Sequence, residues 1–281
     1  MTRLIEVEAR IASIAGLLEV VGAMRSLAGM RLQEAQTALP AARRYAQTIS
    51  SAIAAVLPTW REVPAPSSRR PAPRALVLYA AEHGFVGAFS EHLVATAQSQ
   101  ASPEDALFVL GSRAAAIASE RGLRPAWVAP MAARPVNISE SVRRLTDELY
   151  RRVARGEISR VELIYAAHGS LGSSRPQQRT LIPLDPASIP AGTREQSPLR
   201  NLTRAELLEQ LTAEYLFALL AEAALDSLAS ENSARLAAMN AARDNVAKRL
   251  DALRAAAHQL RQSEITLELL DVVTGAQALE D

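Results

Sequence analysis

Residues 261–277 read RQSEITLELLDVVTGAQ, and how they are read decides how the chain is built. Wound as a helix, the stretch sets Ile265, Leu267, Leu269, Leu270, Val272 and Val273 on nearly every side. A helix that ends in water keeps a polar face, whereas a helix that is apolar all round is an enclosed one. Arg261, Gln262, Thr266 and Glu268 share these turns, and Gln262 and Thr266, four apart, lie on one face.

The proline distribution extends this helix backwards. Residues 199–281 contain no proline, and their one glycine is Gly275. The first 57 residues contain only Pro40, while residues 58–198 hold fourteen prolines. Proline removes a donor and clashes with the preceding turn of a helix. Two long helices are therefore expected to flank a loop-rich centre.

The hydrophobic period agrees. Steps of three and four from Leu4 pass through Val7, Ile11, Ile14, Leu18, Val21, Arg25, Ala28, Leu32, Ala35, Leu39, Ala42, Ala46, Ile49, Ile53 and Val56. Fifteen of these sixteen seam positions are apolar, a sustained coiled-coil pattern. A C-terminal seam runs from Leu211 through Tyr215, Leu225, Met239 and Leu250 to Leu267, interrupted by Glu222, Asn232, Arg243, Glu264 and Asp271. At 1.5 Å per residue the helices would span roughly 80 and 105 Å. The two ends flank one insert, so antiparallel packing within the chain is expected. A homodimeric coiled coil is the alternative.

The centre alternates between strand and helix patterns. RALVLYAA (74–81), ALFVLG (106–111), RVELIYAAH (160–168) and QRTLIPLD (178–185) read as strands, and PAWVAPM (125–131) as a weaker one. Short helices are expected at GAFSEHLVATAQSQ (87–100), SRAAAIASERG (112–122) and SESVRRLTDELYRRVARG (139–156). Such alternation indicates a mostly parallel, Rossmann-like α/β layer. Residues 57–74 and 185–198 read as linkers. The expected fold is α+β overall: a coiled-coil helix at 1–57, an α/β insert at 74–185 and a second coiled-coil helix at 203–281, the two helices pairing antiparallel.

Composition narrows the function. The net charge is +1, and residues 199–281 carry 8 basic and 13 acidic side chains. No segment has the concentrated basic charge that nucleic-acid binding needs, so nucleic acid is not an expected partner. Absence of cysteine removes disulfides and thiolate metal sites. MTRLIEVEAR has no apolar signal core, and no unbroken run of 18 apolar residues occurs, so no membrane span is expected.

Chemistry is sparse. Gly84 and Gly87 in YAAEHGFVGAFS (79–90) could bring backbone N–H groups to an anion after the first strand. Neither dinucleotide nor phosphate-loop fingerprint is present, and Lys248, the only lysine, lies in the long C-terminal helix. Gly84 and Gly87 are therefore expected to shape a tight structural turn. AAHGSLGSS (166–174) reads as a loop. His83, His92, His168 and His258 have no metal-ligand spacing, and no catalytic pair stands out. No cofactor, metal or catalytic residue is expected. A chain with two such helices and no site works by contact or mechanics.

Two segments carry a family resemblance. VGAMRSLAGMRLQEAQ (21–36), followed by RRYAQTI (43–49), resembles the N-terminal helix of gamma subunits of F-type ATP synthases. ENSARLAAMNAARDNV (231–246) and RQSEITLELLDVVTGAQA (261–278) are similar to that family's C-terminal helix. Arg261, Gln262, Ile265, Thr266, Glu268, Gly275 and Ala276 stand at motif positions at one end, and Ala23, Met24, Ala28, Ala35, Gln36 and Tyr45 at the other. The insert loop departs from the family's usual Gly-Leu-Cys-Gly-Gly and reads GFVGA, while Gly22 and Arg25 replace a usual Lys and a usual acidic residue.

The resemblance implies a divergent central-stalk rotor without a catalytic site of its own. Its C-terminal tip would stand in an apolar sleeve formed by a ring of alternating alpha and beta subunits. Arg261, Gln262, Thr266, Glu268, Met24 and Arg25 would make subunit contacts that carry torque. The insert would be a foot touching the epsilon subunit and the membrane c-ring, peripherally bound at the cytoplasmic face of a bacterial inner membrane. Two other readings stay open: a nucleotide-binding α/β protein with a coiled-coil dimerisation arm, and a non-enzymatic coiled-coil scaffold.

Overall fold

The structure, a computed structural model, describes residues 2–56, 74–169, 174–184, 189 and 201–277, the side chains of residues 2 and 271–277 excepted. The expected linkers at 57–74 and 185–198 (Arg74, which opens a strand, and Ile189 apart), residues 170–173 of the expected loop at 166–174, and the side chains of Asp271, Val272, Val273 and Ala276 lie outside the described residues.

Both terminal segments are single helices, α1 (Thr2–Val56) and α5 (Arg204–Gln277). Pro40 stands inside α1 without ending it. Thr203 caps α5: its hydroxyl accepts from the Glu206 N–H at 3.3 Å and its own N–H donates to the Glu206 carboxylate at 3.1 Å, the reciprocal capping box. Between them run β1 (Arg74–Tyr79), α2 (Phe89–Gln100), β2 (Ala106–Leu110), α3 (Ser112–Glu120), β3 (Pro125–Ala129), a 3-10 turn (Pro135–Asn137), α4 (Ile138–Ala154), β4 (Arg160–His168) and β5 (Ser174–Ile182).

The chain divides into two compact units. One comprises residues 1–27 with 236–281, the other residues 28–235. In the first, the start of α1 lies beside the end of α5: Arg3, Val7 and Arg10 share a groove with Ala256, Leu260 and Ser263, and Arg261 donates to Glu8 at 2.6 Å. In the second, Arg43 of α1 reaches Glu222 and Asp226 of α5, and Tyr45 bonds Glu214. None of the fifteen apolar seam residues of α1 is exposed, and Arg25 is exposed. The period thus identified the covered stripe, and the single charge on it turns to water.

Between Arg10 and Arg31 the only charges in α1 are Glu19 and Arg25, so the average hydropathy is high although charges break the run. An 18-residue window of α1 reaches mean hydropathy 1.5, long and apolar enough by composition to cross a membrane, and 11% of it is buried. Leu17, Val20 and Leu27 are among its exposed side chains.

The sheet of the second unit has the order β3-β2-β1-β4-β5. The first four strands are parallel, and β5 pairs antiparallel with β4. Alternation along β1 assigns its faces. Ala75, Val77 and Tyr79 join a core with α1, α4 and α5, while Leu76 and Leu78 join one with α2 and α3. The strand expected at 178–185 begins earlier, with Ser174 opposite His168, and ends at Ile182. Pro176 and the exposed polar residues around it hide the strand period, and an edge strand tolerates proline because one of its sides is unpaired.

Candidate functional site

The first candidate surface is the end of α5. Ile265, Leu267, Leu269 and Leu270 are 51%, 61%, 60% and 55% exposed, so more than half of each stays open to solvent. Among the proposed contact residues, Arg261, Gln262, Thr266, Glu268 and Arg25 are exposed and Met24 is half-buried. Arg261 and Glu8 are both about half exposed, and such a surface pair is worth at most about 1 kcal/mol. The Thr266 hydroxyl donates to the Gln262 carbonyl one turn back at 2.9 Å. Its donor is spent within the helix, and its oxygen still presents acceptor capacity outward.

The second candidate is the turn after β1. The left-handed backbone falls at Phe85 (φ 62) and Gly87 (φ 57). Gly84 has no such φ and has open space where a Cβ would stand. The turn expected from Gly84 and Gly87 therefore rests on Gly87 and on a strained, two-thirds exposed Phe85. Gly87→Ala is expected to cost about 1–2 kcal/mol from the left-handed backbone, and Gly84→Ala nearly nothing. Urea unfolding of the two variants separates them; equal costs would show that the turn is not held at Gly87.

The third is the crevice at the carboxyl ends of β1 and β4. Strand order reverses between these strands, and in open α/β sheets that is where ligands bind. Here α5 occupies it. Ser227 Oγ donates to the Tyr79 carbonyl at 3.4 Å, and Ser230 Oγ to the Ala166 carbonyl at 3.1 Å, both serines being buried. Arg235 donates to Glu231 at 2.6 Å, to Asn232 at 3.1 Å and to the carbonyl of His83, in the turn after β1, at 3.5 Å. Burial pushes the Glu231 carboxyl up, against the lowering pull of Arg235.

The neighbouring helix N-terminus is also filled from within. Glu82 accepts the Ser112 N–H at 3.0 Å, the Ser112 hydroxyl at 2.6 Å and the Met131 N–H at 2.8 Å. Burial raises its carboxyl, but the bonds from Ser112 and Met131 outweigh burial and leave it lowered. Gly111 (φ 124) permits this closure, since a Cβ there would meet the Ala80 and Ala81 carbonyls at 2.6 and 2.7 Å. Among the described residues, no group of three or more His, Asp or Glu could hold a metal ion.

Sequence reasoning missed Glu82, Ser227, Ser230, Glu231 and Arg235. One signal did point there. The seam interruptions at Glu222 and Asn232 fall where α5 meets polar partners: Glu222 pairs with Arg43 at 3.5 Å and Arg179 at 3.6 Å, and buried Asn232 bonds Arg235.

These features define a class of protein. Its terminal helices pair and expose an apolar tip, and its α/β sheet closes the usual ligand crevice with its own helix. Residues 3–279 match the family described as ATP synthase. The chain is 29% identical to the ATP synthase gamma chain of Cyanothece sp. over 315 residues, covering all of both. It is 27% identical to that of Trichormus variabilis over 314 residues, covering 99% of this chain and 100% of the relative. A chain of the Euglena gracilis mitochondrial ATP synthase (OSCP/F1/c-ring, rotational state 3) superposes with TM-score 0.67 at 14% identity, covering 99% of this chain and 95% of that one. A chain of the Tetrahymena thermophila mitochondrial ATP synthase (central stalk/c-ring) gives 0.58 at 17% identity, covering 79% and 99%. These structural likenesses show the shared fold. The chain belongs to the ATP synthase family, as a divergent gamma chain.

Proposed function

We propose that this chain turns inside a ring of alternating alpha and beta subunits and couples ion flow through a membrane c-ring to ATP synthesis or hydrolysis in that ring. The observation that supports this most directly is the α5 tip, where Ile265, Leu267, Leu269 and Leu270 are each more than half exposed. An apolar sleeve supplied by partners removes that surface from water. An asymmetric shaft contacts each catalytic subunit differently and so biases their nucleotide affinities, as coupling between sites requires. Catalysis belongs to the beta subunits. The α/β insert, residues 74–185, acts as the foot toward the epsilon subunit and the c-ring, and the complex sits peripherally on the cytoplasmic face of a bacterial membrane.

Within the tip, Gln262 and Thr266 present an amide and a hydroxyl on one face, with Arg261 and Glu268 as polar neighbours and Met24 and Arg25 as contacts from α1. Partners buried against that amide and hydroxyl would lose about 1–3 kcal/mol when either is truncated. Complexes reconstituted with Gln262→Ala plus Thr266→Ala are expected to pump ions in an ATP-driven assay about tenfold less well than wild type, with the helix content of the isolated chain unchanged. Wild-type pumping and normal assembly would remove these two residues from the torque contact.

A further inference from the structure

We propose that the residues filling the β1/β4 crevice form a rotational key: Ser227, Ser230, Glu231, Asn232 and Arg235 fix the angle of α5 about its own axis, so that turning the sheet turns the helix with it. The inference rests on the rotor reading and adds positioning residues to it.

The packing explains why a key is needed. Ala223, Ser227, Ser230 and Ala234 follow one another at spacings of four, three and four, a single stripe of small side chains on α5. Two of them bond the strand-end carbonyls, Ala223 joins the core with α1 and α4, and Ala234 packs on the core with α2 and α3. Small side chains admit the sheet edge closely but offer little steric resistance to rotation of the helix. Directional bonds have to set the angle. The serines tie α5 to two different strands, and Arg235 ties it to the turn that follows β1.

The ion pair fits the same role. Glu231 and Arg235 have side chains only 7% and 8% exposed. A buried pair adds little net stability over packed apolar side chains of the same volume, because desolvation offsets the attraction. What it adds here is geometry: the guanidinium is held by Glu231 and Asn232 of its own helix while it reaches the His83 carbonyl. Bulk stabilisation of α5 comes instead from Leu216, Leu219, Leu220 and Leu228, all within the apolar core.

The test uses two variants, Ser227→Ala with Ser230→Ala, and Glu231→Leu with Arg235→Met, in complexes reconstituted with the full-length chain. The reading is ions pumped per ATP hydrolysed, measured against increasing opposing gradients. Hydrolysis is expected to stay within twofold of wild type, while pumping per ATP falls at least fivefold and falls further as the load rises. A merely structural role would lower assembly, hydrolysis and pumping together, leaving the ratio unchanged, and an unchanged ratio overturns the key. A second measurement covers variants that assemble poorly. In the isolated full chain, hydrogen exchange across residues 223–235 is expected to quicken about tenfold with helix content preserved; unchanged exchange also overturns the key. If wild-type chain does not assemble with the ring, the rotor reading fails by itself, and the exchange measurement still decides whether the key holds α5.

Discussion

Arg74→Met lowers the stability of the unit formed by residues 28–235 by about 3–5 kcal/mol at neutral pH, the cost expected when one partner of a buried ion cluster is removed. Arg74 opens β1 and donates to Glu162 at 2.9 Å, to Asp105 through Nε at 3.1 Å and again through its terminal nitrogen, and to the Gln100 carbonyl at 2.6 Å. The Glu162 side chain is 3% exposed, and Arg160 and Gln178 complete its shell at 2.7 Å each. Methionine keeps the aliphatic stem and removes the charge, leaving Asp105 without its cation.

The pH dependence gives the mechanism away. Burial raises the Asp105 carboxyl, but the bond and charge of Arg74, with the Ser102 N–H, outweigh it and leave it lowered. A lowered carboxyl contributes stability above its unfolded value of about 3.9, and that stability is lost as pH falls through the folded value. Removing Arg74 leaves burial dominant, so the folded value rises above the unfolded one. Asp105 then costs stability at neutral pH and ceases to do so once it is protonated. The difference between wild type and Arg74→Met is therefore largest near pH 7 and shrinks toward pH 4. Urea unfolding at the two pH values measures it; a pH-independent difference would mean that lost packing, not stranded charge, carries the cost.

What could be read from the sequence followed the range of the interactions. The α1 seam is a local period, and its fifteen apolar positions from Leu4 to Val56 are covered as the spacing required, while Arg25 alone turns outward. The parallel strands were legible as apolar runs because both faces of β1, β2 and β4 are covered. β5 was misplaced by four residues because it is paired on one side only and carries Pro176 and glutamines that face water. At the turn, a glycine pattern pointed to Gly84 and Gly87, and the left-handed backbone falls at Gly87 and at Phe85 rather than Gly84. Nothing in the identity of a phenylalanine announces that conformation.

The filled crevice was beyond sequence reasoning for a different reason. Ser227 and Tyr79 are 148 residues apart, and Arg235 and the His83 carbonyl 152 apart. No local period encodes such a meeting. It follows from strand order, which brings the ends of β1 and β4 together before α5 arrives. The polar residues at 222 and 232 on the seam were a visible trace: a polar side chain kept on a covered stripe needs a partner, and Glu222 finds Arg179 of β5 as well as Arg43 of α1, while Asn232 holds Arg235.

The largest functional effect is expected at the end of α5. Ile265→Asp with Leu269→Asp places two carboxylates four residues apart on one helix face. Both positions are more than half exposed in the chain alone, so little packing is lost, and the isolated variant should unfold within about 0.5 kcal/mol of wild type. Inside an apolar sleeve the same carboxylates would be buried unpaired, at several kcal/mol each. Every 1.4 kcal/mol is tenfold in an equilibrium constant, so assembly or coupled pumping should fall by two orders of magnitude or more. Ile265→Ala with Leu269→Ala removes only apolar contact and should fall between the two. Reconstituted complexes compared for ring binding and ATP-driven pumping measure this order. Pumping at the wild-type level by the aspartate variant would mean that the tip faces water in the complex as it does alone. The apolar sleeve would then be excluded as the reason why Ile265, Leu267, Leu269 and Leu270 stand exposed at the end of α5.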